Sequence, residues 1–304
     1  MKVFITGCYG QVGQELMAMA AKCGYEAMGF DRDTLDITDK QRVQEAIGQH
    51  HPHVVINAAA YTAVDKAEND GEAALAVNAT AVRYLAEVCD SMNIPFVHIS
   101  TDYVFDGSNV GAYVENDTPS PLGVYGETKL AGEQAVRKHC AMYYILRTSW
   151  VFSSHGNNFV KTMLRLGLER KELGVVADQY GKPTSAHEIA RVIYLILKSN
   201  KQAWGTYHMA QPEVTTWFGF AEAIFTEARS QGLNLKLSTC HAISTEDYPT
   251  PAKRPANSEL DCSKLAATFS IQLNPWSESL RAVIQSIRCE TKKISLVQGG
   301  GDAP

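Results

Sequence analysis

The chain opens with an apolar run that passes into a glycine-patterned turn, Val3-Phe4-Ile5-Thr6-Gly7-Cys8-Tyr9-Gly10-Gln11-Val12-Gly13. The apolar run predicts a buried β-strand, and the residues after the turn predict a helix that reaches about residue 23. Three glycines at GxxGxxG spacing let a backbone come close to a pyrophosphate, whose charge is favoured at a helix N-terminus. Glycine also serves ordinary tight turns, so this pattern alone indicates a dinucleotide site only weakly.

An acidic residue stands where a dinucleotide-binding fold has its ribose contact. A second strand is predicted over Tyr25 to Phe30, and Asp31 follows it, about 20 residues after the glycines. Asp31 can accept a hydrogen bond from an adenosine ribose, whereas Arg32 can bind a 2′-phosphate. The choice between NAD and NADP therefore stays open, and a simple acidic turn is the alternative interpretation.

Strands and helices alternate over the first 150 residues. Further strands are predicted at 54–57, 95–99 and 143–147, with a helix that starts at a capping box on Thr38 and a long helix over 72–92. This alternation predicts an α/β fold, a doubly wound parallel sheet of the Rossmann type with a smaller C-terminal substrate lobe. We expect residues 1–150 to form the dinucleotide-binding core, 151–288 mainly the substrate-binding lobe with segments returning to the core, and 289–304 a disordered tail.

Two groups of residues carry candidate chemistry. Thr101 lies within Ser100-Thr101-Asp102 after the fourth strand, and Tyr125 and Lys129 stand four residues apart at the start of a predicted helix, where they share a face. A free tyrosine has a pKa of about 10 and is a poor acid at neutral pH unless a neighbouring cation favours the phenolate. The alternatives are a pair of residues on a solvated helix and a threonine that only completes its strand end.

Composition excludes several classes of protein. The 304-residue chain has a formal charge of -5 without a basic run, which argues against nucleic acid as a partner. Seven cysteines without a CxxC pair indicate reduced thiols and a cytoplasmic protein. We expect no signal peptide and no membrane span, because no apolar stretch approaches about 20 residues. The cluster His50-His51-Pro52-His53 predicts a solvated loop rather than a metal site.

The order of these motifs resembles that of the extended short-chain dehydrogenase/reductase family. The residues that carry this resemblance are Gly7, Gly10, Gly13, Asp31, Thr101, Tyr125 and Lys129. Longer stretches look like signatures of the dTDP-4-dehydrorhamnose reductase subgroup, namely Asn57–Glu68, Ser100–Phe105, Arg147–Phe152, Gly156–Phe159, Asp178–Gly181 with Pro183-Thr184, and Arg254-Pro255 with Asn257-Ser258. The resemblance covers nearly the whole chain apart from the tail.

The resemblance implies that the C4 ketone of dTDP-4-dehydro-L-rhamnose is reduced to dTDP-L-rhamnose by NADPH or NADH, in nucleotide-sugar and cell-surface polysaccharide biosynthesis. The catalytic residues would be Thr101, Tyr125 and Lys129. Tyr125 would donate the proton and Thr101 a second hydrogen bond, while Lys129 would be both the cation that tunes Tyr125 and a ligand of the nicotinamide ribose. The implied cofactor contacts are Gly7, Gly10, Gln11, Val12, Gly13, Asp31, Arg32, Asp36, Ile37, Ala58, Ala59, Ala60, Thr62, Asn78, Ser100, Tyr125 and Lys129. The implied substrate contacts are Val64, Thr101, Asp102, Tyr103, Trp150, Asn158 and Arg254.

The metal ligands found in some members of this family are not all present in this chain. Some bacterial members bind magnesium at a dimer interface through three glutamates, of which Glu15 matches the first. His187 and Ser277 stand at the other two positions, with Glu188 and Glu278 one place away. A hard cation such as magnesium prefers oxygen ligands, and these three side chains do not supply a carboxylate set. We therefore expect no metal here. The sequence does not decide whether the protein forms a homodimer.

Two other functions share this fold. A nucleotide-sugar dehydratase would follow the active-site threonine with an Asp-Glu pair, whereas Thr101-Asp102-Tyr103 lacks the glutamate; an epimerase is the related alternative. A non-catalytic NADP-binding regulatory subunit is the second, and fold alone does not exclude it. The presence of Thr101, Tyr125 and Lys129 together favours an enzyme.

Overall fold

A computed structural model describes the main chain of residues 1–298 and the side chains of residues 1–289. Its strands are β1 (Lys2–Thr6), β2 (Glu26–Phe30), β3 (Val54–Asn57), β4 (Phe96–Thr101), β5 (Tyr143–Thr148), β6 (Val151–Phe152), β7 (Glu172–Val176), β8 (Tyr180–Gly181), β9 (Thr184–Ser185), β10 (Gly205–His208), β11 (Thr215–Thr216) and β12 (Thr239–Ile243). Its helices are α1 (Gln11–Ala20), α2 (Lys40–His50), α3 (Val64–Ala67), α4 (Gly71–Leu75), α5 (Ala81–Ser91), α6 (Val124–His139), α7 (Phe159–Glu169), α8 (Ala186–Lys198), α9 (Trp217–Ser230), α10 (Ser263–Phe269) and α11 (Trp276–Gln298).

A six-stranded parallel sheet forms the centre of the fold, with strand order β10-β5-β4-β3-β1-β2. The chain moves outward from β1 to β2 and then returns to place β3 on the other side of β1, so the strand order reverses between β1 and β3. Val3, Phe4 and Ile5 are fully buried, as expected of a parallel strand that is covered on both faces. The predicted doubly wound α/β fold is confirmed, and its ligand side is the carboxyl end of these strands.

Helices cover both faces of the sheet. On one face α1 packs against α8, and the core there includes Leu16 and Ile193. On the other face α2, α5 and α6 pack together through residues such as Val43, Leu85 and Val136. Both faces of the sheet are therefore covered by helices.

Much of the second half of the chain packs around a separate apolar core. Phe152, Phe220 and Trp276 are central to it, and α7, α9 and α11 supply most of the rest. The small parallel pair of β7 and β12 lies beside these helices. In contrast, β10 adds to the edge of the central sheet and α8 packs on α1, so the chain crosses between the two cores more than once.

Three details differ from the sequence-based expectations. The N-cap of α2 is Asp39 rather than Thr38, and its carboxylate accepts hydrogen bonds from the main-chain N–H groups of Gln41 and Arg42. The long helix predicted over 72–92 contains a π-helical turn, Ala76–Thr80, between α4 and α5. The predicted tail at 289–304 overlaps α11, which continues to Gln298, and residues 299–304 lie outside the described part of the chain.

Candidate active site

Two adjoining cavities open at the carboxyl ends of the central strands. The first, of about 660 Å³, extends along the β1–α1 turn to the segment after β2, and the second, of about 530 Å³, lies between the ends of β4 and β5 and the loop before α7. Both are lined by Gly10, Ala58 and Ala60. The pair therefore forms one elongated site whose two parts meet at residues with little or no side chain.

Most of the predicted site residues line one of these cavities. The first contains Gly7, Gly10, Asp31, Arg32, Asp36, Ile37, Ala58, Ala59 and Ala60. The second contains Gly10, Gln11, Val12, Ala58, Ala60, Thr62, Val64, Ser100, Thr101, Asp102, Tyr103, Tyr125, Lys129, Trp150 and Asn158. Three predicted residues line neither cavity, namely Gly13, Asn78 and Arg254.

The glycines of the first turn have different roles. Gly7 has a φ of +68°, a left-handed conformation that favours glycine, and a Cβ there would lie 2.6 Å from the main-chain nitrogen of Ala59. A Cβ on Gly13 would lie 2.1 Å from the carbonyl oxygen of Gly7. Gly13 is thus required for packing of α1 against the turn rather than for direct contact, and Gly10 is the glycine exposed to both cavities.

The carboxylate of Asp31 is fixed within its own turn. Its Oδ1 accepts hydrogen bonds from the main-chain nitrogen and the hydroxyl of Thr34, at 3.0 and 2.6 Å. These bonds lower the pKa of Asp31. The carboxylate is therefore ionised at neutral pH and able to accept a hydrogen bond, with Arg32 beside it on the same cavity wall.

Thr101, Tyr125 and Lys129 are brought together by close packing of α6 against the end of β4. A Cβ on Gly126 would lie 2.2 Å from the carbonyl oxygen of Tyr103, so only glycine lets the first turn of α6 approach this closely. The hydroxyl of Thr101 then reaches the phenol of Tyr125. Gly126, directly after the tyrosine, is a residue that the motif analysis did not single out.

The pKa values of the phenol and the amine are displaced by burial. Burial raises the pKa of Tyr125 to about 12, against a smaller lowering by the Thr101 hydroxyl. Burial lowers the pKa of Lys129 to about 8, while the negative charge of Glu133 raises it. Nζ of Lys129 donates a 2.7 Å hydrogen bond to the carbonyl of Ile99. The expectation that Lys129 lowers the pKa of Tyr125 is thus not met, because the phenol's own burial dominates.

A buried ion pair supports this part of the site and was not predicted. Glu133, one turn after Lys129, is fully buried and accepts two hydrogen bonds from Arg147, at 2.8 and 2.7 Å. Arg137 and the hydroxyl of Ser100 each add a further bond of 2.6 Å. The predicted contact Ser100 therefore uses its hydroxyl to connect β4 to α6, although it also borders the cavity.

Asn78 lies outside both cavities and hydrogen-bonds to residues next to them. Its side-chain oxygen accepts a hydrogen bond from the nitrogen of Tyr61, and its amide nitrogen donates to the oxygen of Tyr61 and to the hydroxyl of Thr128. The residue is 1% exposed and lies in the π-helical turn. Asn78 is corrected to a structural link between the cavity wall and α6, with all its polar atoms used inside the protein.

Arg254, which the resemblance places among the substrate contacts, is paired inside the protein. Its guanidinium forms an ion pair with Asp65, with N–O distances of 3.1 and 2.9 Å, and bonds to the hydroxyl of Thr250. The pair ties the segment after residue 249 to the start of α3. Arg254 therefore fixes a neighbouring loop instead of lining the cavity.

Two further predicted substrate contacts, Trp150 and Asn158, also have partners within the protein. Trp150 stacks on Trp217, with 3.6 Å between ring centroids and an angle of 9° between the rings, and still borders the second cavity. Asn158 caps α7 by accepting a hydrogen bond from Lys161, and its amide nitrogen donates to the side chain of Gln11. Both residues shape the cavity wall through bonds that hold them in place.

The altered metal positions contain an ion pair. Nδ1 of His187 lies 3.0 Å from a carboxylate oxygen of Glu15, which raises the pKa of His187. Glu188 is held by Arg191 through two bonds of 2.6 and 2.7 Å. Within the described residues no group of three His, Cys, Asp or Glu side chains is arranged to bind a metal, and no described helix has the length and apolar character to cross a membrane.

Comparison with known proteins agrees with this architecture. The sequence profile of the RmlD substrate binding domain family matches residues 1–289. The chain is 45% identical to a dTDP-4-dehydrorhamnose reductase of Aggregatibacter actinomycetemcomitans, over 93% of this chain and 98% of that protein, and 41% identical to one of Escherichia coli, over 94% and 98%. A crystal structure of dTDP-4-dehydrorhamnose reductase from Bacillus anthracis in complex with NADP superposes with a TM-score of 0.88 at 38% identity, covering 94% of this chain and 99% of that one. The resemblance drawn from the motifs is thereby confirmed, and the chain belongs to the RmlD substrate binding domain family.

Proposed function

We propose that this protein is an oxidoreductase that reduces the C4 ketone of dTDP-4-dehydro-L-rhamnose to dTDP-L-rhamnose with NADPH or NADH. The observation that carries the proposal is that Thr101, Tyr125 and Lys129 together line the second of the two adjoining cavities. The relatives named dTDP-4-dehydrorhamnose reductase, and the NADP complex of one of them, support both the substrate and the cofactor. The product would enter cell-surface polysaccharide biosynthesis.

The residues of the first cavity fit a dinucleotide. Gly10 and the Ala58–Ala60 segment expose main chain without bulky side chains, and the N-terminus of α1 favours a diphosphate. Asp31 would accept hydrogen bonds from the ribose hydroxyls, and Arg32 would bind a 2′-phosphate when one is present. When bound, the reduced nicotinamide supplies the hydride that the ketone carbon accepts.

The residues of the second cavity would supply the proton to the ketone oxygen and stabilise the negative charge that develops on it. Tyr125 gives its proton to the ketone oxygen, and the hydroxyl of Thr101 donates a second hydrogen bond to the same oxygen. Lys129, with a pKa of about 8, carries its proton at neutral pH and is held by the carbonyl of Ile99. We assign Lys129 to the nicotinamide ribose, to which its ammonium group would donate hydrogen bonds.

The sugar nucleotide would occupy the remainder of the second cavity. Val64 and Tyr103 line it beside Thr101, while Trp150 and Asn158 form the wall toward the C-terminal part of the chain. Trp150 presents an indole already stacked on a second ring, which gives the wall a rigid apolar surface for a flat base or a sugar face.

A cytoplasmic location and a lack of nucleic-acid partners belong to the same proposal. The charge of -5 and the unpaired state of all seven cysteines support it. A homodimer stays open, and light scattering of the purified protein at several concentrations decides it.

Substitution of the proton donor tests the function. Tyr125→Phe removes the only atom of Tyr125 that can donate a proton, so kcat should fall on the order of 10²- to 10⁴-fold with cofactor affinity little changed. The assay follows loss of NADPH absorbance with dTDP-4-dehydro-L-rhamnose. Tyr180→Phe, at a half-exposed tyrosine outside both cavities, is the matched control and should leave the rate unchanged.

The same assay separates the alternatives. A dehydratase or epimerase would convert a nucleotide sugar without net consumption of NADPH, and a regulatory subunit would bind NADPH without turnover. Weakened NADPH binding at normal turnover in Tyr125→Phe would contradict the role assigned to the phenol.

A further inference from the structure

A buried carboxyl group lies directly against the threonine of the active site. Asp102 is 3% exposed, and its Oδ1 is 2.9 Å from the hydroxyl oxygen of Thr101. The two residues are held in a short 3₁₀ turn, where the main-chain nitrogen of Tyr103 donates to the same hydroxyl at 3.2 Å. Asp102 is therefore placed to act on the orientation of the Thr101 hydroxyl.

The hydroxyl of Thr101 has a single hydrogen to donate. An ionised Asp102 is only an acceptor, so it would take that hydrogen, and Thr101 could then not donate to a ketone oxygen. A protonated Asp102 instead donates to the threonine oxygen and leaves the threonine hydrogen free. The geometry at 2.9 Å suits either direction of the bond, so the proton on the carboxyl decides which one forms.

We propose that Asp102 is a positioning residue that works in its neutral form, its carboxyl donating to Thr101 so that the threonine hydrogen is directed at the substrate ketone. This inference rests on the proposed reductase function and deepens it. The resemblance places Asp102 among the substrate contacts, and the residue lines the second cavity. The role proposed here is its effect on the hydroxyl of Thr101.

The surroundings of Asp102 favour the neutral form. Burial raises the pKa of its carboxyl to about 6, and the hydroxyls of Ser258 and Thr101 offset part of this rise. The aromatic hydroxyls facing it are those of Tyr103 in its own turn and Tyr125 of α6. An anionic nucleotide in the same cavity adds negative charge, which raises the pKa further.

The ion pair of Arg254 and Asp65 lies near the turn that contains Asp102. Arg254 and Asp65 both act on the neighbouring Tyr103, with opposite effects on its pKa. They are bound to each other at 2.9 Å, so their charges largely offset one another beside the turn. The titration of Asp102 is thus controlled mainly by its burial and by the hydroxyls around it.

The test is the pH dependence of kcat in the wild type and in Asp102→Asn. With a pKa of about 6, the carboxyl is about 50% protonated at pH 6 and about 1% protonated at pH 8, so wild-type kcat should fall by up to about 50-fold between these pH values if Asp102 ionises in the complex. Asp102→Asn keeps a permanent donor beside Thr101, and its ratio of kcat at pH 6 to kcat at pH 8 should be close to one. The same fall in both proteins, or an Asp102→Asn enzyme inactive at every pH with intact NADPH binding, would overturn the proposal.

A second variant, Thr101→Val, tests the same proposal if Asp102→Asn does not fold. Thr101→Val removes the hydroxyl through which Asp102 acts, so the variant should be slow at every pH and should lose the decline between pH 6 and 8. A decline that persists in Thr101→Val would show that the carboxyl does not act through Thr101.

A measurement without turnover separates this inference from the proposed function. In protein labelled with ¹³C-aspartate, the carboxyl resonance that Asp102→Asn removes should titrate near pH 6. Titration near the ordinary value of about 4 would overturn the inference while leaving the reductase intact. Titration near pH 6 in a protein that fails to reduce the ketone would instead overturn the proposed function, and this inference with it.

Discussion

Glu133→Gln tests whether the buried ion pair beside the candidate active site stabilises the fold. Glu133 accepts four hydrogen bonds of 2.6 to 2.8 Å, two of them from Arg147, which is itself 1% exposed. These bonds connect α6, which contains Tyr125 and Lys129, to β4 and β5. Loss of the carboxylate charge leaves the guanidinium of Arg147 buried without a counter-charge.

The burial of this ion pair determines how much stability the substitution should cost. Removal of one partner from a buried ion pair costs about 3–5 kcal/mol, because the remaining charge keeps its desolvation penalty. Glutamine preserves the shape of the side chain and one acceptor oxygen, so we expect the lower end of that range, about 3 kcal/mol. The nearest further partner of Arg147, Nε2 of His208 at 3.4 Å, is at the limit of hydrogen bonding and does not replace a carboxylate.

Urea unfolding followed by circular dichroism measures the loss. Glu169→Gln is the matched control, because Glu169 pairs with Arg165 on the surface of α7, where the two side chains are 53% and 59% exposed. Such an exposed pair contributes about 0.3–0.5 kcal/mol. A loss below about 1 kcal/mol in Glu133→Gln, comparable to the control, would refute the argument that burial makes this pair important.

Two further predictions follow from packing. Asn78→Ala breaks the bonds that hold the main chain of Tyr61, so thermal unfolding should show a loss of about 1–3 kcal/mol; an unchanged midpoint would contradict this role. Gly13→Ala introduces a Cβ 2.1 Å from the oxygen of Gly7 and should weaken NADPH binding, measured by fluorescence titration, at least about tenfold. Gly48→Ala in α2, whose Cβ would meet only a flexible side chain at 3.6 Å, is the control and should bind NADPH normally with a gain of about 0.5–1 kcal/mol in stability.

The parts of the fold that the sequence predicted are those determined by short segments. The strand, glycine turn and helix at the N-terminus need only local periodicity and three glycines, and the same holds for Tyr125 and Lys129, which share a helix face through their spacing. Once the strands are parallel, their carboxyl ends meet at one edge of the sheet. The position of Thr101 near Tyr125 then follows from topology.

The features that the sequence did not predict depend on contacts between distant segments. Arg254 is 189 residues from its partner Asp65, and no local pattern links the two. The side chain of Asn78 meets Tyr61 and Thr128 only because the helix contains a π turn, which has no distinct sequence signal here. In each case a polar residue that the resemblance places among the ligand contacts instead forms hydrogen bonds within the protein.

One cause accounts for the direction of the pKa shifts of Asp102, Tyr125 and Lys129. Burial favours the neutral forms of Asp102 and Tyr125, raising their pKa values to about 6 and about 12, and lowers the pKa of Lys129 to about 8. At neutral pH the phenol and the amine therefore still hold their protons, and the carboxyl holds a fraction of its own. Reduction of a ketone takes up one proton, whereas the reverse oxidation needs a phenolate to remove one. Burial of these groups thus keeps Tyr125 able to donate a proton at neutral pH, and the protonated fraction of Asp102 rises as the pH falls toward 6.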